Sequence, residues 1–177
     1  YEEFTDAGSK ISSIPLTNNY NNLIVLRGIS KFFAAPGLRL GYAVTGNPDL
    51  LKYINTRKNP WTINSLAEIA GCIMFSDKDY IEKTRTLITS ERNRLYNLLS
   101  TWKHVKVYPS CSNFLLVKIL REDVTSESVF EHCIRKGLMI RDCSTFPFLD
   151  NSFIRFCVMS PEKNDDLMEA LKELDLF

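Results

Sequence analysis

SKFFAAPGLRLGY, residues Ser30 to Tyr42, sets a lysine and an arginine eight residues apart on either side of a Pro36-Gly37 turn. The stretch is otherwise mostly apolar. Just before it, Leu23 to Leu26 reads LIVL, a continuous apolar run expected of a buried strand. On its far side RLGYAVTG, Arg39 to Gly46, alternates more loosely and reads as a strand returning from the turn. Lys31 is therefore expected on a loop between two strands, where a rigid scaffold can hold chemistry-bearing side chains.

A lysine in an apolar loop either snorkels to solvent or serves as a nucleophile with a lowered pKa. Its neighbours here favour the second role. Ser30 supplies a hydroxyl donor, and Arg39 supplies a planar fork for a phosphate and a positive field that favours a neutral amine. Gly37 and Gly41 allow an unusual backbone conformation or a close approach that a side chain would block. Lysine, serine and arginine around one anion suit a phosphate-bearing aldehyde held as a Schiff base. A nucleotide P-loop would need a Gly-x4-Gly-Lys-Ser/Thr run, which the sequence lacks.

The remainder of the chain frames this loop as part of a mixed α/β fold. Asn47-Pro48 opens a helix with Leu50, Leu51 and Ile54 on one face, and Asn64-Ser65 opens another with a stripe of Leu66, Ile69, Ala70, Ile73 and Met74. The longest helical pattern runs from about Asp77 to Trp102 and is long enough to bridge two domains. Beyond it the order is β-β-α-β-β-α. VKVYP and NFLLVKI are strands, Ser126 to Lys136 is a helix stopped by Gly137, and LMIRD and FIRFCV are strands again. Ser160-Pro161-Glu162 then caps a terminal helix with Leu167, Met168, Leu171 and Leu174 on its apolar face. In FIRFCV, Arg155 interrupts a strongly apolar strand and calls for a partner anion.

Composition narrows the function classes. The 177 residues are 45% hydrophobic and 24% charged with a net charge of +1, so no electrostatic feature points to nucleic acid or an anionic membrane. Cys72, Cys111, Cys133, Cys143 and Cys157 are dispersed without a Cys-x-x-Cys pair, as expected of reduced thiols in a cytoplasmic protein. His104 and His132 lack partners at ligand spacing, which argues against a zinc site. The chain starts without Met in what reads as the middle of an element, and is expected to be a fragment of a longer protein.

SKFFAAPGLRLGY resembles the lysine signature of class I/II, fold-type I pyridoxal-phosphate enzymes. YEEF resembles the end of that family's Asp-Glu-x-Tyr-x-x-Phe motif, NPWTINSLAEIAG its helix after the lysine strand, and SNFLLVKI and FIRFCV its small-domain strands. The match covers essentially the whole chain. Beyond the lysine motif, these stretches narrow the resemblance to the branch of histidinol-phosphate aminotransferases and threonine-phosphate decarboxylases, and the forms PGLRLGY, NPWTIN and IRDCSTF look closer to the decarboxylases that supply aminopropanol phosphate to cobalamin synthesis. The resemblance implies an α/β fold comprising residues 1–76 as the C-terminal part of a large cofactor-binding domain, 77–102 as a bridging helix and 103–177 as a small α+β domain.

The same resemblance implies pyridoxal 5'-phosphate as cofactor and a set of roles. Lys31 would carry the cofactor and shuttle protons, Ser30 and Arg39 would hold its phosphate, and Tyr1 would hydrogen-bond its ring oxygen. Arg155 would grip the substrate carboxylate, Arg141 its phosphate or carboxylate, and Asn113 would stand near the substrate-facing strand. The implied substrate is a small phosphorylated amino acid, and the implied assembly of the parent is a homodimer, without nucleic acid, membrane or metal. Gly28 departs from the pattern, which has Ser or Thr three residues before the lysine. The aspartate that protonates the pyridine nitrogen would precede Tyr1, outside this sequence, so the fragment by itself is expected to be inactive.

Overall fold

The computed structural model describes residues 1–5 and 11–177. They form two compact units, one of residues 1–3 with 11–84 and one of residues 4–5 with 85–177. No helix among the described residues is long and apolar enough to cross a membrane.

In the first unit, β1 (Val25–Gly28) and β2 (Gly41–Val44) pair antiparallel, with Val25 opposite Val44 and Gly28 opposite Gly41. The apolar run at Leu23–Leu26 begins this hairpin but is not a buried strand: the ladder starts at Val25, and Leu26 is 74% exposed. Hairpin strands paired only with each other leave side chains uncovered, and apolar content alone cannot supply the missing layer. Helix α1 (Pro48–Arg57) begins where expected, its Asn47 side chain accepting from the Leu50 N–H. Asn64 caps α2 (Ser65–Ser76) in the same way through the Ala67 N–H.

The packing face of α2 differs from the expected stripe. Ala67 and Gly71 are its buried residues, whereas Leu66, Ile69 and Ile73 are exposed. The cause is close approach: a Cβ at Gly71 would lie 2.7 Å from Leu40 Cδ2, so the helix meets the β1–β2 loop through its small residues. Its large apolar residues consequently face outward.

Helix α3 (Lys78–Ser100) passes through the boundary between the units, which falls after Thr84. The second unit is built on a four-stranded antiparallel sheet of β3 (Val105–Val107), β4 (Phe114–Ile119), β5 (Arg141–Asp142) and β6 (Phe153–Cys157), in the order β3-β4-β6-β5. Strand alternation divides its two faces. Leu115 opposite Phe156 and Val117 opposite Ile154 are buried, while Leu116 opposite Arg155 belongs to the other, half-buried face. Helix α4 (Ser126–Arg135) packs on β5, β6 and α5 (Pro161–Lys172), burying Val129 and Cys133 with Leu167, Met168 and Leu171. Burial pushes the Cys133 thiol up to about 11, which keeps it an inert core residue. Gly137 ends α4 with φ +76, as its position predicts.

Ser160 occupies the N-cap of α5 but its side chain accepts no capping bond. Asn164 closes this corner instead. Its Oδ1 accepts from the Met159 N–H at 2.9 Å, and its Nδ2 donates to Met159 O at 3.0 Å and to Glu91 Oε2 at 2.7 Å. Glu91, buried on α3, is held in turn by Arg94 at 2.9 and 2.7 Å. This clamp joins α3 to the turn that follows β6. The Arg94 guanidinium, against the opposing effect of burial and aided by Asn164, holds the Glu91 carboxyl below its usual range.

This packing has two measurable consequences. A lowered folded-state pKa contributes stability above the unfolded value of about 4.3, and that contribution is lost as pH falls through the lower folded value. Glu91→Gln should therefore cost about 1–3 kcal/mol near neutrality, with the gap to wild type narrowing from pH 5 toward pH 3 in urea melts; a gap constant with pH contradicts the assignment. The open face of α2 predicts that the 177-residue chain self-associates and that Leu66→Lys with Ile73→Lys suppresses this. Sedimentation of the unmodified chain as a monomer at tens of micromolar would count against it.

Candidate active site

Lys31 lies in the β1–β2 loop, as its sequence context predicts, with its side chain exposed. The loop neck is closed by the Ile29 N–H donating to Leu40 O at 3.3 Å. Ser30 is the first residue beyond this bond on one side and Arg39 the first on the other, so the neck brings their backbones together. Phe32 anchors the loop: it is buried, and its carbonyl accepts from the Tyr80 hydroxyl at 3.1 Å. Edge-on contacts of Phe32 with Phe33 and Tyr80 complete this apolar footing beneath the lysine.

The backbone of the loop carries two non-glycine residues in the left-handed region, Ala34 at φ 49 and Arg39 at φ 54. Arg39 folds one Nη1–H onto Pro36 O at 2.9 Å, leaving further donors of its fork available. The two glycines singled out in the sequence separate here. Gly41 is required, since a Cβ would lie 2.8 Å from Arg27 O; at Gly37 a Cβ would meet nothing within 4 Å. A hydroxyl, an ammonium and a guanidinium on one short, braced loop match a phosphorylated aldehyde in charge and in reactive groups. The residues present fit pyridoxal phosphate.

Tyr1, with an exposed side chain, begins a short 3-10 turn over Glu2–Phe4. Arg27 of β1 secures this segment through Glu2 at 2.8 Å and Glu3 at 3.1 Å. Arg27 escaped the sequence reading because its acidic partners lie over twenty residues away. In the second unit the buried Arg92 donates to the carbonyls of Phe4 and Ser112, the latter at 3.2 Å and immediately before Asn113. The Asn113 carbonyl accepts from the Val158 N–H at 2.8 Å, and its side chain accepts from the Ser112 hydroxyl at 3.3 Å.

The two arginines expected to meet substrate are direct cross-strand partners: Arg141 on β5 stands opposite Arg155 on β6. Like charges in this position repel. Among the described residues, neither guanidinium forms a salt bridge, although Arg141 lies within electrostatic reach of the Asp142 carboxylate. They rest on aromatic faces instead. Arg155 lies 4.8 Å from the Phe114 ring and 5.6 Å from Phe146, and Arg141 lies 5.3 Å from the same Phe146. Both line an open cleft of ≈ 790 Å³ that also includes Thr145 and, on α4, Glu127 and Glu131. The adjacent Asp142 is engaged elsewhere, accepting from Ser126 Oγ at 2.7 Å, Ser144 N at 2.8 Å and Ser144 Oγ at 2.9 Å. Although burial opposes it, these donors lower the Asp142 pKa.

Comparison with known proteins gives this arrangement its relatives. The family model for aminotransferases of class I and II matches residues 1–171. A protein of Caldanaerobacter subterraneus subsp. tengcongensis named "Putative threonine-phosphate decarboxylase" is 38% identical over 172 residues, covering 97% of this chain and 46% of its own. A histidinol-phosphate aminotransferase of Thermoanaerobacter sp. (strain X514) is 41% identical over 157 residues, 89% of this chain and 43% of its own. The crystal structure of the histidinol-phosphate aminotransferase from Clostridium acetobutylicum superposes with a TM-score of 0.87 at 33% identity, over 94% of this chain and 49% of that one. The chain thus spans about half the length of the relatives it matches. The family match over nearly the whole chain and the close superposition identify the chain as a member of the class I and II aminotransferase family, whose fold is that of fold-type I pyridoxal-phosphate enzymes.

Proposed function

We propose that the protein at full length is a pyridoxal-phosphate-dependent enzyme acting on a phosphorylated amino acid, and that its reaction is decarboxylation of L-threonine O-3-phosphate. The observation that carries this reading is the opposed pair Arg141 and Arg155, neither of them in a salt bridge. Two neighbouring guanidiniums, neither held in a salt bridge, favour a ligand with two anionic groups. Phosphothreonine has both a phosphate and a carboxylate, whereas histidinol phosphate has the phosphate alone.

The bound cofactor would supply a conjugated ring that takes up the electron pair left at the substrate Cα. Each other task falls to a residue of this chain. Lys31 provides the amine that attaches the cofactor, and Ser30 with Arg39 binds its phosphate at the loop neck. Tyr1 donates its phenolic proton to the ring oxygen. Arg155 grips the substrate carboxylate with its planar fork, Arg141 takes the substrate phosphate, and Asn113 borders the strand that presents Arg155. By fixing the orientation of the substrate carboxylate, Arg155 would favour loss of carbon dioxide over loss of the Cα proton, and Lys31 would deliver a proton to Cα. The same reading makes the full-length enzyme a cytoplasmic homodimer whose amine phosphate product feeds cobalamin synthesis.

A second reading, transamination of histidinol phosphate, draws support from the 33% identical Clostridium structure. In that reaction Lys31 removes the Cα proton and Arg155 receives the carboxylate of the amino-group partner. One assay separates the readings. Full-length protein with pyridoxal phosphate and O-phospho-L-threonine, in the absence of 2-oxoglutarate, should release carbon dioxide continuously. Lys31→Ala should abolish release, and Arg155→Gln should lower kcat/KM about a hundredfold. Turnover of histidinol phosphate only when 2-oxoglutarate is added would overturn decarboxylation in favour of transamination. Absence of both reactions would overturn both.

A further inference from the structure

The IRDCSTF stretch contains an aromatic residue to which the roles above give no task. Phe146 is half-buried, and its ring is shared by both guanidiniums at 5.3 and 5.6 Å. We propose that Phe146 is a positioning residue that yokes Arg141 and Arg155 into one receptor for a doubly anionic ligand, with the Asp142 turn setting the ring in place. The proposal rests on the anion-binding reading of the arginine pair.

The neighbouring hydrogen bonds show how the ring is held. Asp142, last residue of β5, accepts three bonds from Ser126 and Ser144 and so turns the chain sharply after the strand. Ser126 begins α4 and is fully buried, which ties the turn to a rigid helix. The Cys143 N–H donates to Phe153 O at 3.0 Å, and the Phe146 N–H donates to Cys143 O at 3.0 Å. Residues 143–146 thus form a tight turn hooked to β6, and Pro147 restricts the backbone directly after it. The ring reaches both arginines from outside the sheet ladder.

This geometry solves two difficulties at once. Arginine side chains lose considerable rotamer freedom when a ligand orders them, and a flat stacking surface orders them beforehand. Opposed guanidiniums also repel, and the negative face of a ring placed between them offsets part of that repulsion without neutralising either charge. A carboxylate in the same position would quench the site. Asp142 is next in sequence to Arg141, yet its donors from Ser126 and Ser144 direct it to shaping the turn.

Calorimetric titration of the full-length protein with O-phospho-L-threonine and with inorganic phosphate tests the yoke. Phe146→Leu preserves apolar volume but removes the π face. It should weaken phosphothreonine about tenfold, as expected when Arg141 loses its aromatic face and Arg155 keeps only Phe114, and phosphate by a clearly smaller factor. Phe146→Tyr should restore phosphothreonine binding to within about twofold, with melting temperatures of both variants near wild type. Equal weakening of the two ligands, or wild-type affinity in Phe146→Leu, overturns the proposal. An independent reading comes from the Nε–H signals of Arg141 and Arg155 in the unsubstituted protein, assigned through Arg141→Lys and Arg155→Lys. A ring-current-displaced Arg141 signal is expected, since Arg155 also meets Phe114, and an Arg141 signal at its random-coil position overturns the yoke even if every Phe146 variant unfolds. Wild-type protein that binds neither ligand overturns the anion reading itself, an outcome distinct from wild-type binding that Phe146→Leu leaves unchanged.

Discussion

Arg141 and Arg155 face each other across the β5–β6 ladder with no acid to separate them. Such a pairing is unfavourable in isolation, and much of the second unit serves to maintain it. Strand β6 is central, bonded to β4 on one side and β5 on the other, so Arg155 cannot slide away without breaking two ladders. The opposite face of the same strand places Ile154 and Phe156 in the core beneath α4, fixing the alternation that directs Arg155 outward. A one-residue slip would bury the guanidinium and expose the core. Register and binding chemistry are in this sense a single constraint.

Hydrogen bonds made by buried polar groups stop the ends of β6 from drifting. Asn164 holds both backbone groups of Met159 and is itself bonded to Glu91, while the Val158 N–H reaches back to Asn113 O. Together they tie the C-terminal end of the Arg155 strand to α3 and to the approach of β4. A buried carboxylate is costly unless it is paired, and Glu91 is paired. Its position in the middle of a helix suggests a geometric task, since an apolar residue there would pack at lower cost.

The lysine loop was legible in the sequence because it is punctuated locally: a strand, a Pro-Gly turn and a returning strand, with all reactive groups inside thirteen residues. Helix starts at Asn47 and Asn64 depend on partners three residues away and follow the same logic. What sequence reasoning missed is non-local. The outward stripe of α2 results from the approach of Leu40 to Gly71, which periodicity cannot register. Phe146 carries no local signal, and its place follows from the turn at Asp142 that brings its ring to Arg141 and Arg155 on two strands. Glu91 and Arg92 interrupt the apolar pattern of α3 and gain meaning only from partners in distant segments. Ser160 had the right residue type for a cap, but the longer Asn164 side chain satisfied the corner from inside the helix.

The central claim is that Arg141 and Arg155 act on one ligand as a pair. A double-mutant cycle tests it most directly, with phosphothreonine affinity measured for the full-length wild type, Arg141→Gln, Arg155→Gln and the double variant. The account predicts that each single change weakens binding at least about tenfold, in line with loss of a charge-assisted fork, and that the losses are not additive. Affinities unchanged by either replacement, or two losses that simply add, would contradict it.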